Sequence, residues 1–168
     1  SLDKDYVHIA LARLREKYGL ISACIVNAAD WEREYWSKDI LEKKFTAARD
    51  FNADVIVLRI GENSFSSVTE EHSYFDGFIT MANFFRKNKN QHLVITDMFW
   101  PSDTLNVPVI NAARELGAHF VSIGDLGVKD ENKAIGLFEH DGVASHPGDL
   151  GMKRIGERIA NAIIKAIG

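Results

Sequence analysis

The chain has 168 residues, of which 46% are hydrophobic and 26% charged, and its net charge at pH 7 is −4. These values are typical of one globular domain large enough to bury a core. No apolar run approaches the roughly 20 residues that a membrane span needs, and no dense basic stripe is present. We therefore expect neither a membrane span nor a nucleic-acid partner.

The first part of the chain predicts two helices and two strands. Asp5–Tyr18 places apolar side chains close to helical spacing, and Gly19 ends that pattern. Leu20–Val26 (LISACIV) has the length and the β-branched residues of a buried strand. A helical pattern then runs from Ser37 to Phe51, and Asp54–Ile60 (DVIVLRI) is the clearest strand in the chain.

The middle of the chain continues the alternation of strands and helices. After a loop at Gly61–Glu71, an aromatic-rich stretch over residues 72–87 predicts a helix. His92–Thr96 and His119–Ile123 predict two further buried strands. Asn106–Leu116 predicts the helix that joins them, with Pro108 in its first turn, where proline is tolerated.

The last part of the chain predicts a long loop over residues 124–148 and then a helix with Asp149 as its N-cap. Ile155, Ile159 and Ile163 repeat along one face of that helix. Four apolar strands alternating with helices imply a parallel sheet covered on both faces. The sequence therefore predicts one α/β domain over residues 1–168, with three layers in the order α/β/α.

Polar residues follow the predicted strands. Ligands of open α/β sheets bind beyond the carboxyl ends of the strands, so these residues are candidates for one shared site. They are Asn27 with Asp30–Glu32, Gly61–Asn63, Asp97–Trp100 and Asp141–Pro147. We expect Asn63 and His146 to face the same cleft.

Two of these segments resemble the SGNH (GDSL-like) ester hydrolases. Gly61–Glu62–Asn63 resembles the family's Gly-x-Asn block, whose asparagine amide helps to bind the oxyanion. The segment Asp141–Met152 (DGVASHPGDLGM) resembles the last block, whose Asp-x-x-His-Pro pattern supplies the acid and the base. Asn27 stands where the second block provides a backbone oxyanion donor. The resemblance in element order spans essentially the whole chain.

The resemblance implies a flavodoxin-like fold and hydrolysis of small acyl or acetyl esters, including esters of carbohydrates, with no cofactor or metal. His146 would be the base, Asp141 its orienting acid and Asn63 an oxyanion donor, as ester cleavage requires. The residues expected to contact the substrate are Asn27, Ala28, Glu62 and Trp100.

The family's opening block, a strand that ends in Gly-Asp-Ser, has no counterpart in this sequence. In the family that strand lies between the strands that we place at Leu20–Val26 and Asp54–Ile60. We therefore expect four visible strands and a missing fifth, in a domain that is incomplete at its N-terminus. The serine would come from a separate N-terminal segment or from a strand-donating neighbour, and this chain alone would be inactive.

Simpler interpretations stay open beside these. Asn63 could be a turn residue, Asp141 could brace the Gly142 turn, and Trp100 could belong to the core. His140, Asp141, His146 and Asp149 have no spacing of a known metal motif. The main alternative function is a binding module for a small molecule or carbohydrate that performs no chemistry. A phosphate or nucleotide binder is less favoured, because no Gly-rich loop follows a strand.

Overall fold

The computed structural model describes residues 4–37, 39–69 and 71–168. The protein is a mixed α/β structure with a three-stranded parallel sheet in the order β1-β2-β3. The strands are β1 (Val55–Leu58), β2 (His92–Thr96) and β3 (His119–Val121). In the β1–β2 pair, Val55 lies opposite His92 and Leu58 opposite Ile95. Three of the four predicted strands are thus confirmed.

In the sequence, helices precede, separate and follow these strands. Within the described ranges they are α1 (Tyr6–Tyr18), α2 (Ala29–Arg33), α3 (Ile40–Asp50), α4 (Tyr74–Phe85), α5 (Asp103–Glu115), α6 (Gly124–Gly127), α7 (Asp141–Ala144) and α8 (Asp149–Ile167). The long helices lie where periodicity predicted them. The short helices α6 and α7 fall in the stretch predicted as a loop, and α2 falls in a stretch with no predicted element, because four or five residues are too few to show a helical period. No helix in the described ranges is both long and apolar enough to cross a membrane.

The chain divides into two compact units. The first, which we call the sheet unit, comprises Ala23–Met98 and Ser102–Phe120. The second, the terminal-helix unit, comprises the described part of Ser1–Ser22, together with Phe99–Pro101 and Val121–Gly168. The expectation of a single domain stays a prediction.

The core of the sheet unit is rich in aromatic side chains. Trp31 of α2 is fully buried and contacts the rings of Tyr35, Tyr74 and Phe78, with centroids 5.9–6.3 Å apart. Burial of such a side chain stabilises a fold by about 1.5–3 kcal/mol, and tilted or edge-on ring pairs add to that. This cluster fixes α2 and α4, and with them the loop that carries Asn27.

The terminal-helix unit is built on the packing of α1 against α8. Ile155, Ile159 and Ile163 of α8 are buried, as their spacing predicted. The helices approach closely at Gly156, where an added Cβ would lie 2.6 Å from the Tyr6 carbonyl oxygen. Asp5 caps α1 by accepting hydrogen bonds from the Val7 and His8 amides at 2.9 and 3.0 Å.

The strand predicted at Leu20–Val26 is not formed, and that prediction is wrong. Residues 20–28 have no regular secondary structure, and Leu20, Ile25 and Val26 are 99%, 57% and 45% exposed. A strand persists only where its backbone groups find a partner, and sequence pattern cannot supply that partner. Among the described residues, β1 is correspondingly an edge strand, paired with β2 alone.

Two helix starts also differ from the predictions. Helix α5 begins at Asp103, so Pro108 lies in its second turn instead of its first. The N-cap of α8 is Gly148, and Asp149 occupies the first turn, where its carboxylate favours the helix dipole and contacts the Lys4 amine at 2.6 Å. Boundaries are set by local hydrogen bonds that periodicity does not encode.

Candidate functional site

His146 lies in the terminal-helix unit, in the turn that follows α7, and it is exposed. Its Nδ1 is 2.7 Å from the carbonyl oxygen of Gly142. Because a carbonyl oxygen can only accept, Nδ1 donates, and the proton of the neutral ring sits on that nitrogen. Nε2 is then unprotonated, which is the state that a general base needs.

The backbone of His146 is held on both sides. Its N–H donates to the Val143 carbonyl at 3.1 Å, and its carbonyl accepts from the Ala134 amide at 2.9 Å. An antiparallel bridge between Lys133 and Pro147 continues this pairing. The imidazole therefore projects from a fixed turn.

The structure contradicts the contact that we expected between Asp141 and Nδ1 of His146. Asp141 is the exposed first residue of α7, and the acceptor at Nδ1 is the Gly142 carbonyl instead. The reason is helical geometry: the carbonyl of a residue in a helical turn points toward the residue four positions later. Gly142 stands four residues before His146, so its carbonyl reaches Nδ1, whereas the side chain of Asp141 is exposed.

Trp100 packs directly against the proposed base. The indole and the His146 ring meet edge to face, with centroids 4.7 Å apart and planes at 84°. The indole Nε1 donates to the Ser145 carbonyl at 3.2 Å. Trp100 is half-buried, so it can both support the imidazole and present a ring face to a ligand.

In the sheet unit, Asn27 and Ala28 form the turn that opens α2. The Asn27 side-chain oxygen accepts from the Ala29 amide at 2.9 Å, which is an Asx-turn. Ala28 is the N-cap of α2 with φ −99°, a conformation that alanine adopts without strain. The structure therefore gives Asn27 a turn-forming role, and substrate contact by either residue stays a prediction.

Glu62 is held by an ion pair in the loop after β1. Its carboxylate accepts from the Arg59 guanidinium at 2.9 Å, and the two side chains are 17% and 13% exposed. A carboxylate held by a guanidinium in this way is fixed in orientation, and substrate contact by Glu62 stays a prediction.

Asn63 donates a hydrogen bond to Glu32, a candidate site residue for which the sequence predicted no particular role. Its Nδ2 donates to Glu32 of α2 at 2.6 Å, and its backbone N–H approaches the other Glu32 oxygen at 3.5 Å. The Gly61 N–H donates to that same oxygen. Glu32 is buried, at 4% exposure. A buried carboxylate is rare without partners, and here the loop after β1 supplies them.

The predicted residues therefore divide between the two units. Asn27, Ala28, Glu62 and Asn63 belong to the sheet unit, where Glu32 connects α2 to the loop after β1. His146, Asp141 and Trp100 belong to the terminal-helix unit. The cleft expected to join Asn63 and His146 stays a prediction. In the described part of the chain, no group of three or more His, Cys, Asp or Glu side chains is arranged to hold a metal ion.

Comparisons with known proteins add no family to this geometry. No family model, curated protein or solved structure matches the chain.

Proposed function

We propose that this protein hydrolyses small acyl or acetyl esters, including acetyl esters of carbohydrates, as an SGNH-type enzyme. The observation that carries the proposal is the hydrogen bond from His146 Nδ1 to the Gly142 carbonyl, which leaves Nε2 of an exposed, ordered imidazole free to accept a proton. The Gly-x-Asn and His-Pro resemblances support the same chemistry.

The proposed reaction gives each group one role. Nε2 of His146 removes the proton of a serine hydroxyl as the serine oxygen bonds to the ester carbonyl carbon, and returns that proton to the departing alcohol. The Gly142 carbonyl stabilises the transient imidazolium at Nδ1. Asn63 donates an N–H to the oxyanion, a contribution of about 3–4 kcal/mol in related chemistry. Water then cleaves the acyl-enzyme with His146 again as base.

The serine in this proposal comes from a segment that adds a strand beside β1. The edge position of β1 and the strand-like but unpaired run Leu20–Val26 support this. Val57 of β1 is 37% exposed, although the VIVL sequence is typical of a strand covered on both faces. In this proposal the described sheet is part of a five-stranded, three-layer flavodoxin-like sheet, and the added strand satisfies backbone groups that cost about 1–3 kcal/mol each when buried unpaired.

The test compares residues 1–168 with the full-length gene product, using p-nitrophenyl acetate as substrate. We expect the full-length product to be active and His146→Ala to lower its kcat by about 100-fold or more. His119→Gln is the control, because His119 is the first residue of β3, and it should have little effect on kcat. We expect residues 1–168 alone to hydrolyse no faster than their own His146→Ala variant.

Two results would overturn the proposal. The first is a full-length product whose hydrolysis does not depend on His146, which would favour a binding module that performs no chemistry. The second is an acyl-enzyme burst from residues 1–168 alone, which would show that the nucleophile lies within this chain.

A further inference from the structure

Glu32 occupies an unusual position for a carboxylate. It is buried on α2, and within the described part of the chain its two oxygens accept hydrogen bonds from N–H donors: the Gly61 amide, the Asn63 amide and the Asn63 side chain. A carboxylate surrounded by donors is an acceptor at both oxygens, and such charge-assisted hydrogen bonds are about twice as strong as neutral ones. The interaction is therefore strong enough to decide the orientation of the Asn63 amide.

An asparagine amide has two ends of nearly equal shape, and its hydrogen-bond partners decide which end points where. Because Glu32 can only accept, it holds the NH₂ end of Asn63 toward itself at 2.6 Å. The Asn63 amide has a second N–H, which does not donate to Glu32. Because Asn63 is exposed, this N–H can donate to a ligand. In the opposite orientation, the carbonyl oxygen of the amide would meet the carboxylate and repel it.

Glu32 also fixes the backbone that carries this amide. Gly61 stands three residues after the end of β1 with φ +125°, and its N–H donates to Glu32. The carboxylate thus connects α2, which follows the Asn27 turn, with the loop after β1. Both segments were predicted to line the site, and neither resemblance assigns a role to residue 32.

We infer that Glu32 is a positioning residue that sets the orientation of the Asn63 amide for oxyanion binding, an inference that rests on the proposed function. A glutamine at this position has one donor and one acceptor, so it admits the Asn63 amide in either orientation. Glu32→Gln should therefore lower kcat about tenfold with KM little changed, because oxyanion contacts act mainly in the transition state.

The first test needs no activity and uses residues 1–168. In ¹H–¹⁵N spectra, we expect one Asn63 side-chain amide proton to be shifted downfield and to exchange slowly relative to those of the exposed Asn161, with the signal identified by its loss in Asn63→Ala. Glu32→Gln should return both protons to ordinary values, whereas Glu34→Gln, an exposed site on the same turn, should leave them unchanged.

Because Glu32→Gln removes a buried charge, its folding has to be checked. The unchanged protein provides a test that does not depend on the variant: Asn63 protons that exchange as fast as those of Asn161 would overturn the inference.

The second test is a double-mutant cycle in the full-length gene product. If Glu32 acts through Asn63, the variant Glu32→Gln/Asn63→Ala has the same kcat as Asn63→Ala. Additive losses would overturn the inference. The two proposals fail separately: normal Asn63 signals with His146-dependent hydrolysis refute only the Glu32 inference, and shifted Asn63 signals without His146-dependent hydrolysis refute the proposed function.

Discussion

The imidazole of His146 lies edge to face on the indole of Trp100, with ring centroids 4.7 Å apart. The same indole donates to the carbonyl of Ser145, the residue before the histidine. Together with the hydrogen bond at Nδ1, these contacts leave the ring with a fixed plane and a fixed tautomer. The His146 side chain is therefore held in place by its own turn and by Trp100.

The tautomer of His146 can be measured against an internal reference six residues away. His140 accepts a hydrogen bond from the Gly142 amide at its Nδ1, so its neutral ring has the proton on Nε2, opposite to His146. We expect ¹⁵N spectra of residues 1–168 at about pH 8, where free histidine is neutral, to show opposite tautomers for the two rings. A neutral His146 ring with its proton on Nε2 would remove the support for His146 as a base.

Asp141→Asn tests the corrected role of that carboxylate. The acceptor at Nδ1 of His146 is a backbone carbonyl, so we expect Asp141→Asn to lower kcat of the full-length product less than about tenfold. Loss of an orienting triad carboxylate typically lowers kcat by about 10,000-fold. A loss of that size would restore Asp141 as the acid, and Asp130→Asn, in a surface ion pair with Lys133, serves as the control.

Asp5 should make the stability of the chain depend on pH. Burial raises the pKa of Asp5, but hydrogen bonds from His8 and Val7 outweigh it and hold the pKa below its usual value. A lowered pKa in the folded state contributes stability above the unfolded-state pKa of about 3.9, and this contribution is lost as pH falls through the folded value.

We therefore expect Asp5→Ala to cost about 1 kcal/mol at pH 7 in urea unfolding, with the cost shrinking below about pH 4. Asp39→Ala is the matched control, because Asp39 is the N-cap of α3 but its side chain makes no capping hydrogen bond. Equal losses in the two variants would contradict the capping role of Asp5.

Gly61→Ala should destabilise the sheet unit more than the same change at Gly117. Both glycines have positive φ, +125° and +61°, but a Cβ at Gly61 would collide with the Met98 side chain, whereas Gly117 has no atom within 4 Å. We expect about 1–2 kcal/mol for Gly117→Ala and at least about 1 kcal/mol more for Gly61→Ala, measured by urea unfolding. Equal costs would mean that Met98 moves aside freely.

Much of the fold follows from patterns within single segments. The bounds of β2 and the buried face of α8 agree with the sequence analysis because each depends on the periodicity of nearby residues. The run Leu20–Val26 has an equally good local pattern and still forms no strand. Its state depends on a partner elsewhere, and no window of sequence contains that information.

The candidate site also combines local patterns with contacts between distant residues. The His-Pro pattern predicts His146 as a base, and that role stays a prediction; the structure adds a hydrogen bond from its Nδ1 to the Gly142 carbonyl. The two partners that matter most, the Gly142 carbonyl and Glu32, could not be assigned from sequence. The first is a backbone atom that every residue has, and the second lies 31 residues before the amide that it binds.

The uncovered run Leu20–Val26 has a consequence for the handling of this polypeptide. LISACIV contains no proline, glycine or charged residue, and Leu20 is almost fully exposed. Short segments of high β-propensity and low charge stack readily into cross-β assemblies when they are left accessible. In the proposed five-stranded sheet, the added strand would therefore also protect this region against fibril formation. The chain without it should have a low solubility limit and a lag time for self-assembly that shortens as its concentration rises.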